Sequence, residues 1–197
     1  MPSFLPTGAE RGWWLLAAAY TAAIYASAYY VRFASSHLRE RGLLAATVAG
    51  LGAAGAAGFV VWWARGRPSL AVWALLPPAG LVYLETWRRL DRFEERIHLL
   101  EYGLLGAVLY HAFVLHAQRS GPGRWRWPAL GAFVLATTLG WLDEGIQHLL
   151  PNRYYDLRDV GLNALAAGMA ILLVALKRRN AHSSAIQWPS TTRKEPR

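Results

Sequence analysis

Two stretches of an otherwise apolar chain carry the residue types that do chemistry: EERIHLLEY, residues 94–102, and GWLDEGIQHLLPNRYYDLRD, residues 140–159. In the first, His98 and Glu101 are three residues apart and His98 and Tyr102 four apart, so all three share one face of a helix. In the second, Glu144 stands three residues before Gln147 and four before His148, and Pro151 ends the helix. Asp156, Asp159 and Asn163 then line one face of the helix that follows, with Asp156 or Asn152 placed to cap it. By this spacing Asp143 turns away from the Glu144 face and meets solvent. The types are those of a polar site. An imidazole exchanges protons near neutral pH, and a carboxylate such as Glu144 orients or neutralises it. The Arg153 guanidinium offers a planar fork for a phosphate or a carboxylate, while Gln147 and Asn163 supply hydrogen bonds. A metal site is a lesser alternative, in which Glu95 with His98 and Glu144 with His148 each bring a carboxylate and an imidazole onto a helix face. No cofactor is expected.

The elements that must position these residues are apolar runs: Trp13–Val31, Gly42–Ala64, Pro68–Leu84, Ile97–Gln118, Trp127–Leu142 and Val160–Leu176. A membrane-spanning helix needs about 20 mainly apolar residues. Each run reaches that length once its polar ends are included, which predicts an all-α, polytopic transmembrane bundle of six spans. Eight of the ten tryptophans fall at the ends of these runs, the level Trp prefers in a bilayer. Pro77–Pro78 predicts a kink in the third span. Three parts follow: an N-terminal three-span segment over residues 1–94, a three-span core over 95–177 carrying the polar cluster, and a mobile basic tail over 178–197. The first span reads as a retained anchor, because Glu10–Arg11 makes a poor basic leader for a signal peptide. With no cysteine, disulfides and thiolate metal sites are excluded. The net charge of +9 sits at the ends of the runs, where it meets water and anionic lipid, so the expected partner is the bilayer and not nucleic acid.

Six spans put both termini on one side. That side then carries twelve Lys and Arg against nine opposite, which favours cytoplasmic termini. The fourth span starts, the fifth ends and the sixth starts on the other, acidic side. Their polar faces therefore lie at one membrane level on the extracytoplasmic face.

The pattern His98-x3-Tyr102, Glu144-x2-Gln147, then Arg153-x2-Asp156-x2-Asp159-x3-Asn163 entering a small-residue helix resembles the VanZ-like family of bacterial membrane proteins, over about residues 94–176. One departure is Glu94–Glu95, where that family often has an Asp-Lys pair. The resemblance implies a multi-pass protein of the bacterial inner membrane and a link to resistance against the glycopeptide teicoplanin. Two readings stand side by side. In one, His98, Glu101, Tyr102, Glu144, Gln147, Arg153, Asp156, Asp159 and Asn163 bind or modify an envelope molecule, lipid-linked and anionic or related to peptidoglycan. In the other, the same polar residues form an interhelical ion network in a non-catalytic accessory subunit that meets other membrane subunits.

Overall fold

A computed structural model describes residues 8–65, 70–90, 92–120, 127–149 and 155–186. These form seven helices, with no strand among the described residues: α1 Gly8–Glu40, α2 Leu44–Arg65, α3 Leu70–Trp73, α4 Leu76–Arg89, α5 Phe93–Ser120, α6 Pro128–His148 and α7 Leu157–Ile186. In hydrocarbon a backbone can satisfy its N–H and C=O groups only within the segment or a closed barrel, so apolar runs of this length must be helical. Four helices, α2, α5, α6 and α7, are long and apolar enough to cross a membrane. By that length and composition the chain is a helical membrane protein.

The other two expected spans fare differently. At 33 residues, α1 is long enough at about 1.5 Å per residue, but its Thr, Ser and Tyr hydroxyls keep it out of the strongly apolar group. The third run is not one continuous helix, and so is not among the four. It is interrupted at Ala74–Leu75, between α3 and the 14-residue α4. The reason is the placement of Pro77 and Pro78 in the first turn of α4. There the missing N–H groups cost nothing, whereas in mid-helix they would break two hydrogen bonds. At the C-terminal end, α7 continues through Lys177 and on to Ile186, into the stretch expected as a basic tail. Residues 187–197 lie outside the described set.

The core is built around α5, which packs on α7, α1 and α6. About two thirds of its apolar window, 67%, is buried inside the protein, against 6% for α2. Small residues make the closest approach possible. A Cβ on Gly106 would meet the Ala167 carbonyl oxygen at 2.8 Å and its Cα at 2.9 Å, so only glycine lets α5 and α7 come this near. The first helix runs antiparallel along α5: Trp13 stacks on His111, Trp14 meets Phe113 edge-on, and the buried Glu10 holds the far end of α5. There Arg119 Nε lies 2.8 Å from Glu10 Oε2, and His116 Nδ1 lies 2.9 Å from Glu10 Oε1. His111 and His116 therefore work as struts between α1 and α5.

Gly42 has φ 68° and ends α1, its N–H bonding the Arg39 carbonyl while Leu43 N–H reaches back to Leu38. This left-handed glycine cap turns the chain into α2. At its other end α2 is tied to α7, where Lys177 Nζ sits 3.5 Å from the centroid of the Trp62 ring and donates to the Trp62 carbonyl. On the acidic side, α4 docks on α5 through the Tyr83 hydroxyl, which donates to the Leu99 carbonyl, and its Trp87 ring covers Gly52 of α2.

Gly106→Ala must push α5 and α7 apart and should destabilise the protein by about 1–3 kcal/mol, the usual cost of overpacking. Gly145 has nothing within 4 Å of an added Cβ, so Gly145→Ala should leave stability unchanged or slightly raised. Thermal unfolding of both variants in detergent checks the pair.

Candidate functional site

The buried face of α6 runs Ala132, Ala136, Gly140, then Asp143, Glu144 and Gln147. A stripe repeating at three and four residues always faces the same neighbours. Here its chemistry changes along the way from methyl groups to carboxylates. The opposing stripe of α5 holds His98 and Tyr102, and that of α7 holds Asn163, Ala166 and Ala167. Three helices thus bring His98, Tyr102, Asp143, Glu144, Gln147 and Asn163 into the protein interior at one end of the bundle.

Asp143 is the centre of this group. It is 0% exposed, so the expectation that it meets solvent is wrong. The position lies on the same stripe as Gly140 and Gln147, flanked by Glu144. Its Oδ2 accepts a hydrogen bond from the Tyr102 hydroxyl at 3.1 Å and lies 3.6 Å from His98 Nδ1. The Tyr102 hydroxyl also lies 3.4 Å from the Leu139 carbonyl, which takes a 2.8 Å bond from Tyr25 of α1. On the far side of the imidazole, Gln147 Nε2 is 3.5 Å from His98 Nε2. The ring is therefore set between a carboxylate at one nitrogen and an amide at the other, the arrangement that fixes a tautomer.

Gly140 sets the spacing of the group. A Cβ there would meet Asn163 Cβ at 3.0 Å, Tyr102 Cε1 at 3.2 Å and Asn163 Nδ2 at 3.4 Å. Its absence lets the Tyr102 ring and the Asn163 amide converge on one point of α6, a turn from Asp143. Asn163 is 1% exposed, yet neither its Oδ1 nor its Nδ2 has a hydrogen-bond partner among the described residues. The same holds for Asp143 Oδ1. Buried polar groups are paired in nine cases out of ten or more, so these atoms stand out among the described residues.

The remaining expected residues separate into two groups. Glu101 is half-buried and faces α1, where Ser27 hydrogen-bonds it, and it lies within electrostatic range of Asp143. Asp159 is also half-buried, with Oδ1 unpartnered, and its charged neighbours are Glu95, Asp156, Arg158 and Arg92. Asp156 stays outside the cluster. It is exposed, and its Oδ1 accepts the Arg158 N–H at 2.8 Å as the N-cap of α7. His148 is exposed beside the Tyr155 ring and does not join Glu144. Arg153 lies outside the described residues. No group of three or more His, Asp or Glu side chains among the described residues is arranged to hold a metal ion.

No family model, curated protein or solved structure matches the chain. The site offers a buried carboxylate shared by a phenol and an imidazole, with a carboxamide alongside whose donors and acceptor are unmatched among the described residues. Such a group can exchange a proton at His98 and can present a fixed set of hydrogen bonds to a polar ligand.

Tyr102→Phe removes the hydroxyl donor to a buried carboxylate and should lower stability by about 1–3 kcal/mol. Asp156→Ala should cost about 1 kcal/mol through loss of the cap alone. Thermal unfolding with intrinsic fluorescence separates the two, and a larger loss from Asp156→Ala would contradict the central place given to the Asp143 cluster.

Proposed function

We propose that the chain is an envelope protein of the bacterial inner membrane that binds a polar amphiphile, lipid-linked or related to peptidoglycan, between α5, α6 and α7 on the extracytoplasmic face. The observation that carries this reading is Asn163, 1% exposed and without a partner among the described residues at either side-chain atom, within the same buried cluster as an Asp143 oxygen in the same condition. An ion network built only to join helices has no use for such atoms, since each costs about 1–3 kcal/mol. The VanZ-like spacing of the polar residues supports the same placement, with cytoplasmic termini and a role related to glycopeptide resistance. In this reading His98, held by Asp143 and Gln147, manages a proton at the bound group, and Arg153 meets an anionic part of the ligand.

A second reading keeps the cluster as an interhelical lock in an accessory subunit. The bond from Tyr102 to Asp143 and the contact of His98 with the same carboxylate favour it, because both join α5 to α6. Binding of a polyprenyl pyrophosphate to the purified protein separates the two. We expect saturable binding that is lost in Arg153→Ala and in His98→Ala, while yield and unfolding temperature stay near those of the parent. Binding unchanged in both variants, together with a large loss of stability in His98→Ala, would establish the lock instead. In cells, expression of the chain should reduce susceptibility to teicoplanin, and Asn163→Leu should abolish that effect.

A further inference from the structure

Two histidines of α5 face opposite kinds of partner at the end of the bundle where α1 begins and α7 ends. His116 Nδ1 lies 2.9 Å from the buried Glu10 carboxylate, which Arg119 also holds. An N–H at that nitrogen donates to the carboxylate in the neutral ring and in the charged ring alike. His111 has no such freedom. Its Nδ1 lies 3.3 Å from Nη1 of Arg178 on α7. A guanidinium only donates, so this ring nitrogen must supply the lone pair, and the imidazole is neutral with its proton on Nε2. From α1 the ring meets Trp13, stacked at 4.7 Å and uncharged. On its own helix it meets Tyr110, with Arg179 of α7 beyond. Among the described residues no carboxylate bonds to His111, so a proton taken up there finds no anion beside it.

We propose that His111 and Arg178 form an acid-released latch: uptake of a proton at His111 frees the last turns of α7 from α5, while the Glu10 joint between α1 and α5 stays closed. The proton occupies the lone pair that Arg178 uses, so the hydrogen bond is lost and two cations stand 3.3 Å apart. Stacking on Trp13 survives, because a cation also sits well on an indole face; it softens the repulsion and does not restore the bond. An imidazole in water titrates at about 6.5, within reach of ordinary changes in pH. The latch is therefore closed above that range and opens as pH falls through it. Its effect extends to a third helix. Lys177, the residue before Arg178, sits 3.5 Å from the centroid of the Trp62 ring and donates to the Trp62 carbonyl, so the turn that lets go of α5 is the one that holds the end of α2. Nothing in this device depends on a ligand at the Asp143 cluster, which lies at the other end of α5.

Hydrogen–deuterium exchange of the full chain in detergent, corrected for the intrinsic effect of pH on the exchange chemistry, tests the latch. Amides of residues 174–186 should exchange about tenfold faster at about pH 5.5 than at about pH 7.5, the effect of losing one hydrogen bond to a charged group. Residues 10–20 should exchange alike at both. His111→Gln supplies a carboxamide oxygen that accepts from Arg178 at either pH, and should hold α7 at the slow rate throughout. His111→Phe keeps a ring against Trp13 and offers no acceptor, and should show the fast rate throughout. Should His111→Phe fail to fold, the parent chain and His111→Gln decide the matter between them. Equal exchange of residues 174–186 at the two pH values in the parent chain overturns the latch, as does a pH response that persists in His111→Gln. Acid loosening confined to residues 10–20 places the break at Glu10 and overturns it too.

Discussion

A carboxylate cut off from water must be held by its neighbours, and Asp143 imposes that requirement on the bundle. An ionisable group at depth in a membrane is costly unless it faces protein and finds donors there. Tyr102 of α5 provides a donor and His98 of the same helix lies 3.6 Å away, so the rotation of α5 against α6 is set by this one group. The Leu139 carbonyl, one turn earlier on α6, draws in Tyr25 and fixes α1 at the same level. Gly140 must remain small because Tyr102 and Asn163 both come close to it. A single buried charge thus reaches four helices through contacts of ordinary length.

The opposite end of the α1–α5 pair uses the same device. The Glu10 carboxylate is buried against Arg119 and His116. Between the two polar ends, apolar packing is held close by Gly106 against Ala167 and by aromatic stacking of Trp13 on His111. Apolar packing in lipid is weakly directional, because the alternative partner is an equally apolar acyl chain. Register along α5 therefore comes from polar groups at its two ends, and closeness comes from small residues between them. This division explains why the functional reading and the structural one draw on the same residues.

Much of this was legible in the sequence, for reasons that particular residues make plain. The apolar runs gave the helices of the core because lipid leaves the backbone no other choice. Chain direction alone placed the starts of α5 and α7 and the end of α6 together. The pairing of His98 and Tyr102 on one face followed from their spacing, and of the two caps the sequence offers, Asp156 and Asn152, the structure shows Asp156. What failed was local. A face drawn through Glu144 and His148 points Asp143 to solvent, whereas the stripe of small residues at Ala132, Ala136 and Gly140 continues to it. That stripe was the signal, since it passes between Asp143 and Glu144 and leaves His148 outside. The third run was long enough to span by composition. Whether Pro77–Pro78 bends a helix or begins one depends on where the preceding turn ends, and hydropathy does not carry that information.

The contrast between α5 and α2 has a consequence for how the chain can vary. Nearly all of α2 faces outward, pinned chiefly where Lys177 covers Trp62 and where Trp87 covers Gly52. Its place is set by the solvent, and any apolar sequence of the same length meets that demand. In α5 each position answers to a neighbour of fixed shape. Homologous chains that share this architecture should therefore drift freely along α2 within the limits of hydropathy and hold α5 nearly still. The two helices keep different kinds of record, one of the membrane and one of the protein.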